Sequence, residues 1–445
     1  MPAPQLPRLT TAQVAARLGV KPETVYAYVS RGLLSREAAF TRGAGGAGGK
    51  ASTFDPIEVE SLAARTARRR SSERSGSPRA AGVGGSPLMV IDSALTLIDG
   101  DELFYRGVPA VRLAATTSYE DAAFWLWTGR RDGPAAFEPA AMPARGPLSS
   151  AAWRRSLGLI DRLRVAVAVA SSANPLRHDL DEPSVLRAAT ELIATMVTAL
   201  PDRPRQPGPV GGASIARRLW TALTGDEPGD AAAHAIDTAL VLLADHDLAT
   251  STLAARVAAS ARAHPYSVVA AGMGPLDGLL HGAASLGAHR MLAGCLSAGR
   301  SPVQVVTEAL HDTGRLPAFG HALYQQRDPR AQALLGALAE VDALRPALDV
   351  AAEVIDVVAG RSGLFPNVDL ALAVLTAGAG MRPDAGEAIF AVARAAGWIA
   401  HAIEEYGCAP LRLRPVGRYV GLAPDVVAER ESRPREGEST RRQIP

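Results

Sequence analysis

The chain has 445 residues, 47% of them hydrophobic and 5% aromatic, and its 47 basic and 45 acidic residues leave a net charge of only +2. That length exceeds one average domain and suffices for a large core, while the near balance of charge excludes a molecule that binds polyanions over its whole surface. The only lysines are Lys21 and Lys50, which excludes lysine Schiff-base chemistry in the C-terminal part, and two distant cysteines, Cys295 and Cys408, exclude a disulfide framework and suit a reducing compartment.

In chain order, the first predicted unit is RLTTAQVAARLGVKPETVYAYVSRGLLSRE. Thr10 or Thr11 can cap a helix whose apolar face is Val14, Ala15 and Leu18, and Gly19 ends it. Pro22 then opens a second helix with a face of Val25, Tyr28 and Val29. GAGGAGGKASTFDPIEVESLA follows, with a flexible wing tip, a short strand around Ser52 to Phe54 and a helix from about Pro56. Helix, Gly-containing turn and helix make a helix-turn-helix pattern, and the string resembles the MerR and excisionase type. That resemblance implies DNA as a partner. The recognition helix would run from Pro22 to Arg31, with Lys21, Thr24, Tyr26 and Arg31 as candidate contacts and the Arg68 to Arg70 run extending the footprint. Glu23 on the same helix would repel phosphate unless it reads a base. A protein-interaction module or a passive appendage are the competing readings.

Residues 71–86 are mostly Ser, Arg, Gly, Ala and Pro, the composition of a linker. Short strands are expected in LMVIDSALTLIDG. Helical patterns then dominate: Ser118 to Trp127, Trp153 to Ala170, Pro183 to Leu200, Ala231 to Leu243, Ser251 to Ala263, Pro302 to His311, Arg330 to Val341, Ala347 to Ala359 and Asp384 to Tyr406, with Asp384 as the N-cap of the last. The first residues carry no apolar stretch of a signal peptide, and no run approaches a membrane span. A cytoplasmic protein without membrane contact is expected.

Three later segments each present one group suited to proton transfer. GLLHGAAS carries His281, AFGHALYQQRDPR carries His321, and LFPNVDL carries Asp369. Two imidazoles and a carboxylate framed by Gly and Pro suit acid–base chemistry at a carbonyl. Their order and spacing resemble the citrate synthase family. ADHDLATSTLAARV with His246, ARAAGWIAHAIEEY with Arg394, RLRPVGRYVG with Arg414, and the entry segment Ile98 to Gly129 extend the resemblance over roughly residues 87 to 424.

The resemblance implies a mainly α fold with a two-domain helical body at 87–424; a small winged helix-turn-helix domain at 1–70 and the linker 71–86 are expected before it, and a disordered tail at 425–445 after it. It implies a homodimer or higher oligomer that condenses acetyl-CoA with oxaloacetate to give citrate and CoA, with no cofactor and no metal. Asp369 would be the base, His281 would support the enol oxygen, and His321 would polarise the oxaloacetate carbonyl. His246, Arg330, Arg394 and Arg414 would bind oxaloacetate, the last from the partner subunit, because a guanidinium fork matches a carboxylate. An ion pair with Asp328 at a helix start is the purely structural reading of Arg330. Leu279, Ala283, Ala249 and Val416 depart from the family pattern, as does Gln325, which stands where the family often has a basic residue for CoA phosphates, with Arg327 nearby. A 2-methylcitrate synthase using propionyl-CoA, and a DNA-binding regulator that senses a metabolite on the same fold, are the alternatives.

Overall fold

The structure, a computed structural model, describes residues 8–41, 49–56, 58–59, 62–63, 90–133, 137–140, 150–201, 213–278, 284–313, 316–362 and 364–415. At the N-terminal end Thr10 is the cap. Its Oγ1 accepts from Gln13 N–H while Gln13 Oε1 accepts from Thr10 N–H, a reciprocal capping box that starts helix Thr11–Leu18. Gly19 closes that helix at φ 63°, and helix Pro22–Ser30 follows with its proline in the first turn. A three-stranded antiparallel sheet completes the unit, with Gly49–Phe54 between Leu9–Thr10 and Arg36–Thr41. The predicted strand at Ser52 to Phe54 is thus longer than expected, and Arg36–Thr41 is a strand the pattern did not signal. Val14, Ala15, Leu18, Val25, Leu34, Phe54, Val59 and Leu62 form a core of their own. The expected wing tip falls on residues 42–48, outside the described residues, as do the linker 71–86 and the tail 425–445.

The body opens with a small antiparallel sheet, Thr96–Asp99, Glu102–Tyr105 and Val108–Pro109. Helices then follow one another to residue 406. The longest, Ala385–Tyr406, is buried on almost every side, and Leu159–Ala173, Glu182–Thr198, Asp230–Leu243, Thr250–Ser260 and Pro265–Met273 pack around it. A second group, Ala284–Ala298, Pro302–Thr313, Arg345–Ser362 and Val368–Gly378, packs on itself. Pro329–Ala339 touches both groups, through Asp230–Leu243 on one side and Val368–Gly378 on the other. The loop before this bridging helix carries His321, so the motif residues fall where the groups meet.

Several differences from the sequence pattern have clear causes. The single helix expected over Trp153 to Ala170 is two, Ala151–Ser156 and Leu159–Ala173. The break at Gly158 is fixed by a distant group: Asp384 Oδ2 accepts from Leu159 N–H at 2.9 Å. Asp384 accordingly makes no side-chain cap bond for its own helix and instead pairs with Arg382. Helices Pro265–Met273 and Val368–Gly378 were not expected, because they are too uniformly apolar to show a two-faced period; Leu370 to Leu375 are all buried. No helix among the described residues is long and apolar enough to cross a membrane.

Candidate active site

Two loops meet to form the centre of the site. One runs from Ala318 to the start of helix Pro329–Ala339 and the other from Leu364 to the start of helix Val368–Gly378. They are joined in both directions: Gly320 N–H donates to Phe365 O at 2.7 Å and Asn367 N–H donates to Ala318 O at 2.9 Å. Asn367 adds its side chain, with Nδ2 donating to Gly320 O at 2.9 Å and Oδ1 accepting from Asp369 N–H at 3.0 Å, so the residue that caps helix Val368–Gly378 also holds the other loop. Gly320 sits at φ 72° in this crossing, a conformation that glycine adopts without strain.

Asp328 strengthens the same junction. Its carboxylate accepts from Arg330 Nε at 3.0 Å, Arg330 Nη2 at 2.8 Å, the Arg330 amide at 3.0 Å and the Val368 amide at 3.0 Å. It therefore caps helix Pro329–Ala339 and tethers the start of Val368–Gly378. Burial alone would raise this carboxyl, but the Arg330 pairing outweighs it and holds the group below the usual carboxylate range. The helix-start ion pair of Arg330 is thus present, and Arg330 also lies over the Tyr324 ring at 5.3 Å.

The titratable groups are tuned in opposite directions. His321 Nδ1 accepts from the Leu323 amide at 3.1 Å and the Tyr324 amide at 3.4 Å, which leaves the proton on Nε2. Burial, with the Arg330 guanidinium close by, pushes this imidazole down to about 3, so it is neutral at physiological pH and acts as an N–H donor. Burial pushes the Asp369 carboxyl up to about 6, with Arg330 opposing and Asp328 adding to the rise. Above that pH it is a stronger base than an ordinary carboxylate.

His246 joins the cluster from the other helical group. Its ring lies 5.2 Å from that of His321, and its Nε2 is 3.0 Å from Tyr324 Oη. Arg394 is 1% exposed, lies over the Phe390 ring at 4.5 Å and donates from Nε to Leu243 O at 2.7 Å. Its charge is felt by Tyr324 and Arg330. Five predicted site residues, His246, His321, Arg330, Asp369 and Arg394, are therefore brought together.

Others are placed elsewhere. Arg414 is exposed on the turn after the last helix, its amide bonded to Leu411 O. His281 lies outside the described residues. In the N-terminal unit Lys21, Tyr26 and Arg31 are exposed and Thr24 is half-buried, with Tyr26 Oη 3.5 Å from Thr11 Oγ1. Arg327 is held by Glu102 and by Gln332 Oε1, while Asp101 accepts from the amides of Gln325 and Gln326. Among the described residues no group of three or more His, Cys, Asp or Glu side chains is placed to hold a metal ion.

Tyr324 and Asn367 were not singled out from the sequence, and Asp328 was named there only as an ion-pair partner of Arg330, although all three lie inside the quoted motifs. Asn two residues before the acidic residue is a cap signal that could have found Asn367, and Asp before Pro is the cap signal that gives Asp328 its second role.

Comparison with known proteins gives the class. Residues 84–415 match the family described as citrate synthase, C-terminal domain. The citrate synthase of Haloferax volcanii is 33% identical over 371 residues, covering 75% of this chain and 94% of the relative. The 2-methylcitrate synthase of Mycobacterium tuberculosis is 29% identical, covering 72% of this chain and 85% of the relative. Among solved structures, the citrate synthase of Thermotoga maritima superposes with a TM-score of 0.62 at 27% identity, covering 76% of this chain and 94% of that one. The chain belongs to the citrate synthase family.

The tuning of Asp369 has a measurable cost. A carboxyl whose folded value is raised from near 4 to about 6 makes the fold less stable as pH rises through that window. Asp369→Asn removes the charge, so thermal melts should place it above the parent beyond pH 6. The gap should close toward pH 4. Equal melting curves across this range would mean that Asp369 is not held in a desolvated site.

Proposed function

We propose that this chain is a citrate synthase that condenses acetyl-CoA with oxaloacetate and releases citrate and CoA. The observation that carries the reading is the pairing of a neutral imidazole donor, His321, with a raised carboxylate, Asp369, in one hydrogen-bonded frame beside two buried arginines. Asp369 removes a proton from the thioester methyl group. His281 is assigned to the enol oxygen on the family resemblance. His321 donates from Nε2 to the oxaloacetate carbonyl oxygen while the enol carbon attacks the carbonyl carbon. Water then cleaves the citryl thioester, and the CoA sulfur leaves as the thiol.

The two carboxylates of oxaloacetate need fixed positive charge. Arg394 suits this role, since among the described residues only its Nε is hydrogen-bonded and both Nη groups are left to a ligand. Arg330 spends Nε and Nη2 on Asp328, so it contributes charge and at most its remaining nitrogen. His246 supplies a further contact. Arg414 belongs to the partner's site in this reading. A homodimer is supported by the apolar surface of helix Thr250–Ser260, where Leu253 and Val257 stand one turn apart and exposed, and by exposed Leu411, whose amide donates to Ser260 O at that helix's end.

A second reading concerns the N-terminal unit. Its capped helix, glycine turn, second helix and sheet with a separate core support a winged helix-turn-helix that binds DNA. The domain limits 1–70, 71–86, 87–424 and 425–445 belong to the same proposal.

The deciding assay measures CoA release from oxaloacetate with acetyl-CoA and, separately, propionyl-CoA. Acetyl-CoA should be preferred, and Asp369→Asn should lower turnover by a factor of about 10² or more while oxaloacetate still binds in calorimetry. Preference for propionyl-CoA would make the chain a 2-methylcitrate synthase, and no release from either would leave the regulator reading. For the N-terminal unit, the full-length protein should shift a labelled fragment of its own promoter, with affinity falling steeply as salt rises. No shift at low salt on any DNA would reject DNA binding.

A further inference from the structure

A line of buried polar and charged groups beside the site takes no part in the chemistry above. Asp245, His401, Arg256 and Glu405 are all 0% exposed. His401 Nδ1 lies 2.8 Å from Arg256 Nη1. A guanidinium only donates, so Nδ1 accepts and the proton sits on Nε2, which donates to Asp245 Oδ2 at 3.2 Å. Thr96 Oγ1 donates to the same oxygen. Arg256 in turn is paired with Glu404 and, at 2.9 Å, with Glu405.

Asp245 is the residue before His246, on a turn that is held at every peptide. Tyr105 Oη donates to Asp245 O at 3.0 Å, Gly397 N–H donates to Ala244 O at 3.0 Å, and Arg394 donates to Leu243 O. Gly397 permits the close approach, since a Cβ there would stand 2.3 Å from Ala244 O and 2.6 Å from Asp245 Oδ1. Asp247 continues the turn at φ 56°, a left-handed conformation uncommon for any residue but glycine. Helix Ala385–Tyr406 presents Arg394, Gly397, His401 and Glu405 at steps of three and four, along one stripe. The same stripe therefore carries a substrate-binding arginine and the group that orients the turn of a substrate-binding histidine.

We propose that His401 and Asp245 are a positioning pair for the oxaloacetate subsite, fixing the 242–246 turn so that His246 and Arg394 face the ligand together. This rests on the reading of that subsite given above. Neither residue touches substrate in this account. Removing His401 leaves a buried carboxylate short of a donor and a buried guanidinium short of an acceptor, and the turn moves to recover them.

Three variants test it in steady-state kinetics with both substrates, alongside thermal melts. His401→Phe should raise the KM for oxaloacetate at least about tenfold, the scale for a lost hydrogen bond to a charged group, while the KM for acetyl-CoA stays within about twofold. His401→Gln should recover most of the loss, since its amide can donate to Asp245 and accept from Arg256. Thr96→Val removes a single donor from Asp245; should His401→Phe not fold, this variant carries the test, with an oxaloacetate KM raised about threefold or more and a melting point near the parent's. A parallel rise in both KM values, or a lower melting point with unchanged KM values, would make the pair merely structural and overturn the proposal. Failure of the underlying reading looks different: the parent itself would release no CoA and bind no oxaloacetate in calorimetry, and the positioning role would fall with it.

Discussion

The Asp328 carboxylate is the point on which the rest of the site depends. It is buried, it is charged, and its two oxygens take two side-chain donors and two backbone amides. A charge removed from water is tolerable only when fully paired, so this group dictates where Arg330, the start of helix Pro329–Ala339 and the start of helix Val368–Gly378 must lie. Once those are fixed, His321 and Asp369 have little freedom. The fold thus converts an electrostatic requirement into a geometric one.

The same burial sets the chemistry. Desolvation lowers His321 and raises Asp369, because each is pushed toward its neutral form. One becomes a neutral donor and the other a stronger base. The same desolvation therefore tunes an imidazole and a carboxyl in opposite directions. The arginines differ as well: Arg330 is paired with Asp328, while among the described residues Arg394 is hydrogen-bonded only through Nε, to Leu243 O.

Much of this was legible in the sequence, for a local reason. His321, Tyr324, Asp328 and Arg330 lie within ten residues, and Asn367 is two residues from Asp369, so short motifs hold most of the frame. What was not legible depends on distant partners. Asp245 is oriented by Thr96 and His401, 149 and 156 residues away, and nothing in ADHDLATST signals either. The break at Gly158 is set by Asp384, and the uniformly apolar helices hide their period because both faces are buried. The paired arginine also shows the limit of residue types: sequence could list Arg330 and Arg394 as equals, whereas the structure separates them by what each already holds.

The most direct test of the central claim is the turnover number of Asp328→Asn, measured where circular dichroism shows the variant folded. Asparagine keeps the shape and one acceptor but gives up the charge that fixes Arg330. If Asp328 sets the geometry of His321 and Asp369, turnover should fall by a factor of about 10², the scale of a small misplacement of reacting groups. Turnover within about threefold of the parent would show that the site holds its shape without this carboxylate, and the account would be wrong at its base.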